Sequence, residues 1–262
     1  MTWDLTTNTT NVLVSHDLLD SVATGAVFMG FSQKTDLLLF AYDISGVWRH
    51  SFTAKYVVFD SNTKEYYNVV AKDGSETLQY CDWVDNDRDE NILIYVSNNN
   101  IYWRSVNPVA EADKDITVTA DGETDNVFNG IPDWVYEEEV LGVNYAHYIN
   151  DNANLVAFAQ FNDSLVKDFR YPFYGDQNVS TQLGIIFVSC IDICLQDVFG
   201  NQYPEYKIVR YPKAGETNPT LKLFVWKVGE NERRSVLPPP EVTAWGEYIY
   251  SIAAWTATDV LR

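Results

Sequence analysis

The stretch FNGIPDWVYEEE, from Phe128 to Glu139, carries most of what can be read from this chain. Asp133 is suited to accept hydrogen bonds at the start of a helical turn over Trp134 to Val140. The acidic residues then lie near the positive end of the helix dipole. Glu137, Glu138 and Glu139 repel one another, and burial makes this worse. A solvated helix face is one reading of the run. Convergence on a cation is the other. On a strand Glu138 and Glu139 would point to opposite faces. On a helical turn they diverge by only ~100°, so both reach one ligand.

Outward from this stretch the chain reads as all-β. Leu37 to Tyr42 is followed by Tyr56 to Phe59. Ile92 to Val96 meets Ile101 to Trp103 across Ser97-Asn98-Asn99-Asn100, a hairpin turn because Asn tolerates positive φ. Leu155 to Ala159 is followed much later by Leu221 to Val228. The first strands of these units begin near 37, 92 and 155. A degenerate repeat of roughly 55–63 residues is the spacing of a β-propeller blade with long loops. Helical periodicity is weak outside Trp134 to Val140.

Composition narrows the partners. The 262 residues are 46% apolar, 21% charged and 15% aromatic, an ordinary folded domain rich in strand-forming rings. The formal net charge is −19. Such a chain repels nucleic acid and anionic membranes, which need Lys and Arg to neutralise phosphate. Cys81, Cys190 and Cys194 give no complete disulfide framework. His16, His50 and His147 are far apart in sequence, and neither a metal site nor a cofactor is expected. The polar run Thr2 to Thr10 is not a signal peptide. The longest apolar run, Leu183 to Leu195, is shorter than the ~20 residues that cross a bilayer. Sequons at Asn8, Asn162 and Asn178 are candidate glycosylation sites of a secreted context.

Four segments resemble one family. They are Val47-Trp48-Arg49-His50-Ser51-Phe52-Thr53-Ala54, Asn129 to Glu139, Ala159-Gln160-Phe161-Asn162-Asp163, and Tyr211-Pro212-Lys213-Ala214-Gly215 followed by Asn218-Pro219. In this order and at about this spacing they resemble the dipeptidyl peptidase IV propeller, over nearly the whole chain. The resemblance implies three to four blades of that N-terminal β-propeller. In the family it caps an α/β-hydrolase domain carrying Ser, Asp and His, and the enzyme releases dipeptides from free N-termini, usually after Pro or Ala. It also implies a plasma-membrane or secreted extracellular parent that forms homodimers. By the same resemblance Glu138 and Glu139 match the pair that binds the substrate α-amino group. Arg49 matches the residue that hydrogen-bonds a substrate carbonyl oxygen. Arg49 is also placed to pair with the glutamates when substrate is absent. Trp48, Trp134 and Tyr136 read as core packing, His50 as a structural histidine, and the Tyr211 to Gly215 segment as a turn.

The departures shape the rest of the expectation. No G-x-S-x-G nucleophile elbow occurs, so the chain carries no catalytic residues and residues 1–262 read as one incomplete propeller domain without its hydrolase partner. An atypical apolar insertion at about 178–200 interrupts a place expected to be a surface loop, and reads as retained non-coding sequence. The runner-up reading is a non-catalytic relative acting as an accessory protein, for example of a potassium channel. As known for the family, such relatives lack the arginine matching Arg49.

Overall fold

A computed structural model describes residues 2–4, 8–32, 36–87, 90–106, 114–174, 204–246, 248–251 and 253–261. The insertion at about 178–200, with Asn178, Cys190 and Cys194, lies outside the described residues. The first elements are β1 (Thr2–Asp4), β2 (Thr9–Asn11) and helix α1 (His16–Val22). The first blade then orders β3 (Val27–Phe31), β4 (Leu37–Gly46), β5 (Phe52–Asp60) and β6 (Tyr66–Val69) in one antiparallel sheet. The second orders β7 (Tyr80–Trp83), β8 (Ile92–Ser97), β9 (Asn100–Ser105) and β10 (Lys114–Thr117).

In the third blade the first strand is split. β11 (Val127–Asn129) and β12 (His147–Ile149) both pair with β13 (Leu155–Asn162), at its opposite ends. Between them the chain leaves the sheet and makes a π-helical turn, Tyr136–Leu141. A separate hairpin, β14 (Asp168–Phe173) with β15 (Glu205–Arg210), precedes β16 (Thr220–Lys227) and β17 (Arg233–Val236), which complete the third blade. A short helix α2 (Pro240–Thr243) follows. The described strands thus form a partial β-propeller of three blades, with no closed barrel.

The expected strand starts at 37, 92 and 155 are those of β4, β8 and β13, the second strand of each blade. They were legible because a central blade strand buries both faces, giving a continuous apolar run. In β8 one face (Ile92, Ile94, Val96) enters a core shared with Val156, Phe158, Phe161 and Trp226 of the third blade. The other face (Leu93, Tyr95) enters a core shared with Leu39, Ala41, Tyr56 and Val58 of the first. Each large side chain so buried contributes ~1.5–3 kcal/mol relative to exposure. The Asn98-Asn99 turn forms as read, with φ of 48° and 59° between the paired residues Ser97 and Asn100. Helix α1 was not anticipated. Ser15 caps it by accepting from Leu18 N at 3.2 Å, and Leu18, Leu19 and Val22 pack on Val57 and Phe59 of β5.

Candidate functional site

The site assembles two excursions from the sheets. One is the β4–β5 loop with Trp48-Arg49-His50-Ser51, from the first blade. The other is the π-turn of the third blade. Asp133 caps the turn, its Oδ1 accepting from Tyr136 N at 2.7 Å and its carbonyl from Glu137 N at 2.9 Å. Gly142 closes the turn at φ 65°, donating to the Glu137 carbonyl at 3.0 Å. This i to i−5 bond continues the π pattern of Tyr136–Leu141, where an ordinary helical turn was expected. Such single turns recur at functional sites.

Three successive amides of the loop donate to two carboxylates of the turn. Arg49 N reaches Glu138 Oε1 at 2.9 Å. His50 N and Ser51 N reach Glu137 Oε1 at 2.8 and 2.9 Å. The Arg49 guanidinium adds Nε to Glu138 Oε2 at 3.0 Å. The expected pairing of Arg49 with a glutamate is therefore present, and Glu138 is its partner. Arg49 is 70% exposed and the Glu138 side chain only 8%. Glu139 is exposed beside them and joins neither contact.

Glu137 was not singled out in the sequence beyond its place in the acidic run. It is fully buried and acts as the acceptor that ties the two excursions together. No local signal distinguishes the inward carboxylate among three neighbours. The donors lie 86 and 87 residues earlier, so only the assembled fold selects it.

The remaining readings sort by burial. Tyr136 is buried against Phe161, with ring centroids 4.6 Å apart, and burial pushes its phenol up to about 12. Trp134 stacks edge-on with Tyr211 at 5.0 Å, and Gly215 holds φ 83°, so the Tyr211 to Gly215 segment serves as a structural turn. Trp48 packs on Phe128 and also walls a cavity of about 330 Å³ that reaches Asn99, Asp125, Ile131 and Glu137. His50 is exposed, and its backbone amide, not its ring, makes the structural contact. His147 is the buried histidine: its Nδ1 lies 2.9 Å from the Gly130 carbonyl, and burial pushes its pKa down to about 4.

Under the turn lies a second acidic feature. Asp133 and Asp163 are 0% and 2% exposed, and their carboxyls lie within hydrogen-bonding reach of one another. Burial raises both above the usual carboxylate range. Of the candidate glycosylation sites, Asn8 and Asn162 are exposed. Asn162 Oδ1 accepts from Ser164 N at 2.9 Å. No cluster of three or more His, Cys, Asp or Glu arranged for a metal ion occurs among the described residues. Among them, too, no helix is long and apolar enough to cross a membrane.

Comparison with known proteins agrees with this fold. Residues 32–261 match the family described as "Dipeptidyl peptidase IV (DPP IV) N-terminal region". The chain is 29% identical to mouse prolyl endopeptidase FAP over 263 residues, covering 98% of this chain and 29% of that protein. It is 29% identical to rat inactive dipeptidyl peptidase 10 over 252 residues, covering 96% of this chain and 28% of that protein. The chain therefore spans under a third of these relatives. The crystal structure of Porphyromonas gingivalis dipeptidyl peptidase 4 superposes with a TM-score of 0.67 at 22% identity, covering 97% of this chain and 31% of that one. Relatives thus include proteins named as peptidases and one named as inactive. By its match over most of its length, this chain belongs to the dipeptidyl peptidase IV family, as part of its N-terminal region.

Proposed function

We propose that the chain is the substrate-gripping part of a serine-type dipeptidyl peptidase, a proteolytic hydrolase that removes dipeptides from free N-termini. In this reading Glu138 and Glu139 hold the substrate α-amine and Arg49 a substrate carbonyl. The observation that carries it is the largely buried Glu138 side chain held beside the exposed Arg49 by the Arg49 amide and guanidinium. An ionised carboxylate offers about four acceptor sites, so Glu138 can accept from Arg49 and still take an ammonium. An α-amine, with intrinsic pKa of ~7.7–8.0, is mostly charged near neutrality. Two extended residues span ~7 Å, so anchoring the amine sets the second peptide bond at a fixed distance. A nucleophile supplied there by a hydrolase domain releases dipeptides.

Residues 1–262 would form one incomplete propeller domain, interrupted at about 178–200. The parent would be extracellular, membrane-anchored or secreted, glycosylated at Asn8, Asn162 and Asn178, and homodimeric. A second reading, a non-catalytic accessory protein, is supported by the likeness to an inactive relative. Arg49 favours the peptidase branch.

Titration calorimetry of the chain with Gly-Pro-Ala and its N-acetylated form tests the clamp. Each charge-assisted hydrogen bond contributes ~1.5–3 kcal/mol, so acetylation should weaken binding by about tenfold or more. Glu138→Gln and Glu139→Gln should reproduce that loss. Equal affinity for the two peptides would sink the proposal.

A further inference from the structure

The capping residue of the π-turn has an unusual neighbour. Asp133 starts the turn, and Asp163 lies just past the end of β13. Asp163 is fixed by its backbone, its N–H donating to the Asn126 carbonyl and its carbonyl accepting from Val166 N, both at 2.8 Å. Asp133 Oδ2 and Asp163 Oδ1 are both buried and meet no donor from any other group. Two ionised carboxylates facing each other in such a place would combine desolvation with direct repulsion. A proton between them removes both problems, and it turns two orphaned acceptors into one hydrogen bond.

We infer that Asp133 and Asp163 share one proton near neutral pH, and that this bond positions the π-turn that presents Glu137 and Glu138. The proton resides on Asp163. Asp133 already accepts the Tyr136 N–H through its other oxygen at 2.7 Å, which favours its ionised form. Among the described residues, the other charged and titratable groups around the pair are Arg210 and Tyr136. The Arg210 guanidinium, which opposes the upward shift of Asp163, is taken up by the Val166 carbonyl at 2.8 Å, Asn126 Oδ1 at 3.0 Å and Asp168 at 3.3 Å. Tyr136 faces Asp133 from the turn and stays neutral, its phenol being pushed upward.

The shared proton stands on these groups alone. Its consequence for ligand binding rests on the amine-clamp reading, and the two are separable. An unfolded aspartate titrates near ~3.9, so between that pH and the raised folded value the native chain holds a proton the unfolded chain lacks. Stability contributed by the pair is therefore full at low pH and lost as pH rises.

The test compares wild type with Asp163→Asn, Asp133→Asn and Asp163→Ala in the full chain. Infrared spectra at neutral pH should show a protonated-carboxyl band in wild type that both Asn variants remove. Unfolding midpoints followed from pH 5 to pH 9 should fall more steeply in wild type than in Asp163→Asn, whose amide donates to Asp133 at every pH. For Gly-Pro-Ala, the affinity ratio of Asp163→Asn to wild type cancels titration of the peptide amine. That ratio should stay near one at low pH and rise several-fold at high pH, while Asp163→Ala binds more weakly throughout. Absence of the carboxyl band, or parallel pH profiles for wild type and both Asn variants, overturns the shared proton. A band with the expected stability profile but no change in peptide affinity keeps the proton and overturns its positioning role. If acetylation of the peptide has no effect, the clamp fails while the band still decides the proton.

Discussion

Removing the Glu137 carboxylate should release the β4–β5 loop from the π-turn. Glu137→Ala deletes the acceptor of His50 N and Ser51 N, bonds of 2.8 and 2.9 Å made by a fully buried side chain. Hydrogen bonds to a charged group each contribute ~1.5–3 kcal/mol, so the pair is worth about 3–6 kcal/mol. By contrast, the Arg49–Glu138 ion pair has a 70% exposed partner and falls in the ~0–1 kcal/mol class of surface bridges. The amides, not the salt bridge, hold Arg49 in place. Glu137→Gln keeps a neutral acceptor, for which ~0.5–1.5 kcal/mol per bond applies, so its loss should be roughly half. Residue-resolved hydrogen exchange is the direct assay. In Glu137→Ala the His50 and Ser51 amides should exchange at least 100-fold faster, since each ~1.4 kcal/mol is tenfold. Glu137→Gln should fall between the two. If His50 and Ser51 keep wild-type protection in Glu137→Ala, the carboxylate does not anchor the loop and this account of the site is wrong.

Two further substitutions probe the frame around the site. Gly130 sits at φ 70°, and a Cβ there would lie 2.6 Å from Ile101 Cδ1. Gly130→Ala should cost about 2–4 kcal/mol from backbone strain and overpacking together, read as a lowered denaturation midpoint at unchanged slope. Arg104 and Asp115 form a buried pair at 2.6 Å, with side chains 6% and 9% exposed. Asp115→Ala should destabilise by ~3–5 kcal/mol by removing the carboxylate that accepts from both Nε and Nη2 of the guanidinium. The urea midpoint measures it, and a change under 1 kcal/mol would contradict the burial argument.

What the sequence disclosed follows from the range of the interactions. β4, β8 and β13 were legible because their apolar runs record burial on both faces, a property each strand carries by itself. Asp133 was legible as a cap because its partner, Tyr136 N, is three residues away. The π character of the turn was not. It rests on i to i−5 closures such as the one from Gly142 to Glu137, which no composition rule separates from ordinary helical closures. Arg49 and Glu138 were found through family likeness, and their contact follows from a fold that closes 89 residues of chain. Glu137 and Asp163 escaped for the same reason. Each is defined by a partner on another element, and neither looks different from its acidic neighbours until the sheets are stacked.

The site depends on residues that carry no chemistry. Its loop belongs to the first blade and its turn to the third, so the second blade sets the spacing between them. β8 buries one face in each of the two inter-blade cores. A side chain lost from Ile94 would loosen the contact with the third blade. One lost from Leu93 would loosen the contact with the first. Either change alters the offset between Glu137 and the amides it collects, although neither residue touches them. N–H···O bonds fall within ~2.7–3.2 Å, so the amide–carboxylate contacts tolerate little change in that offset. The packing of the middle blade therefore bears on the approach of Arg49 to Glu138, alongside the amide bonds that join the loop to the turn.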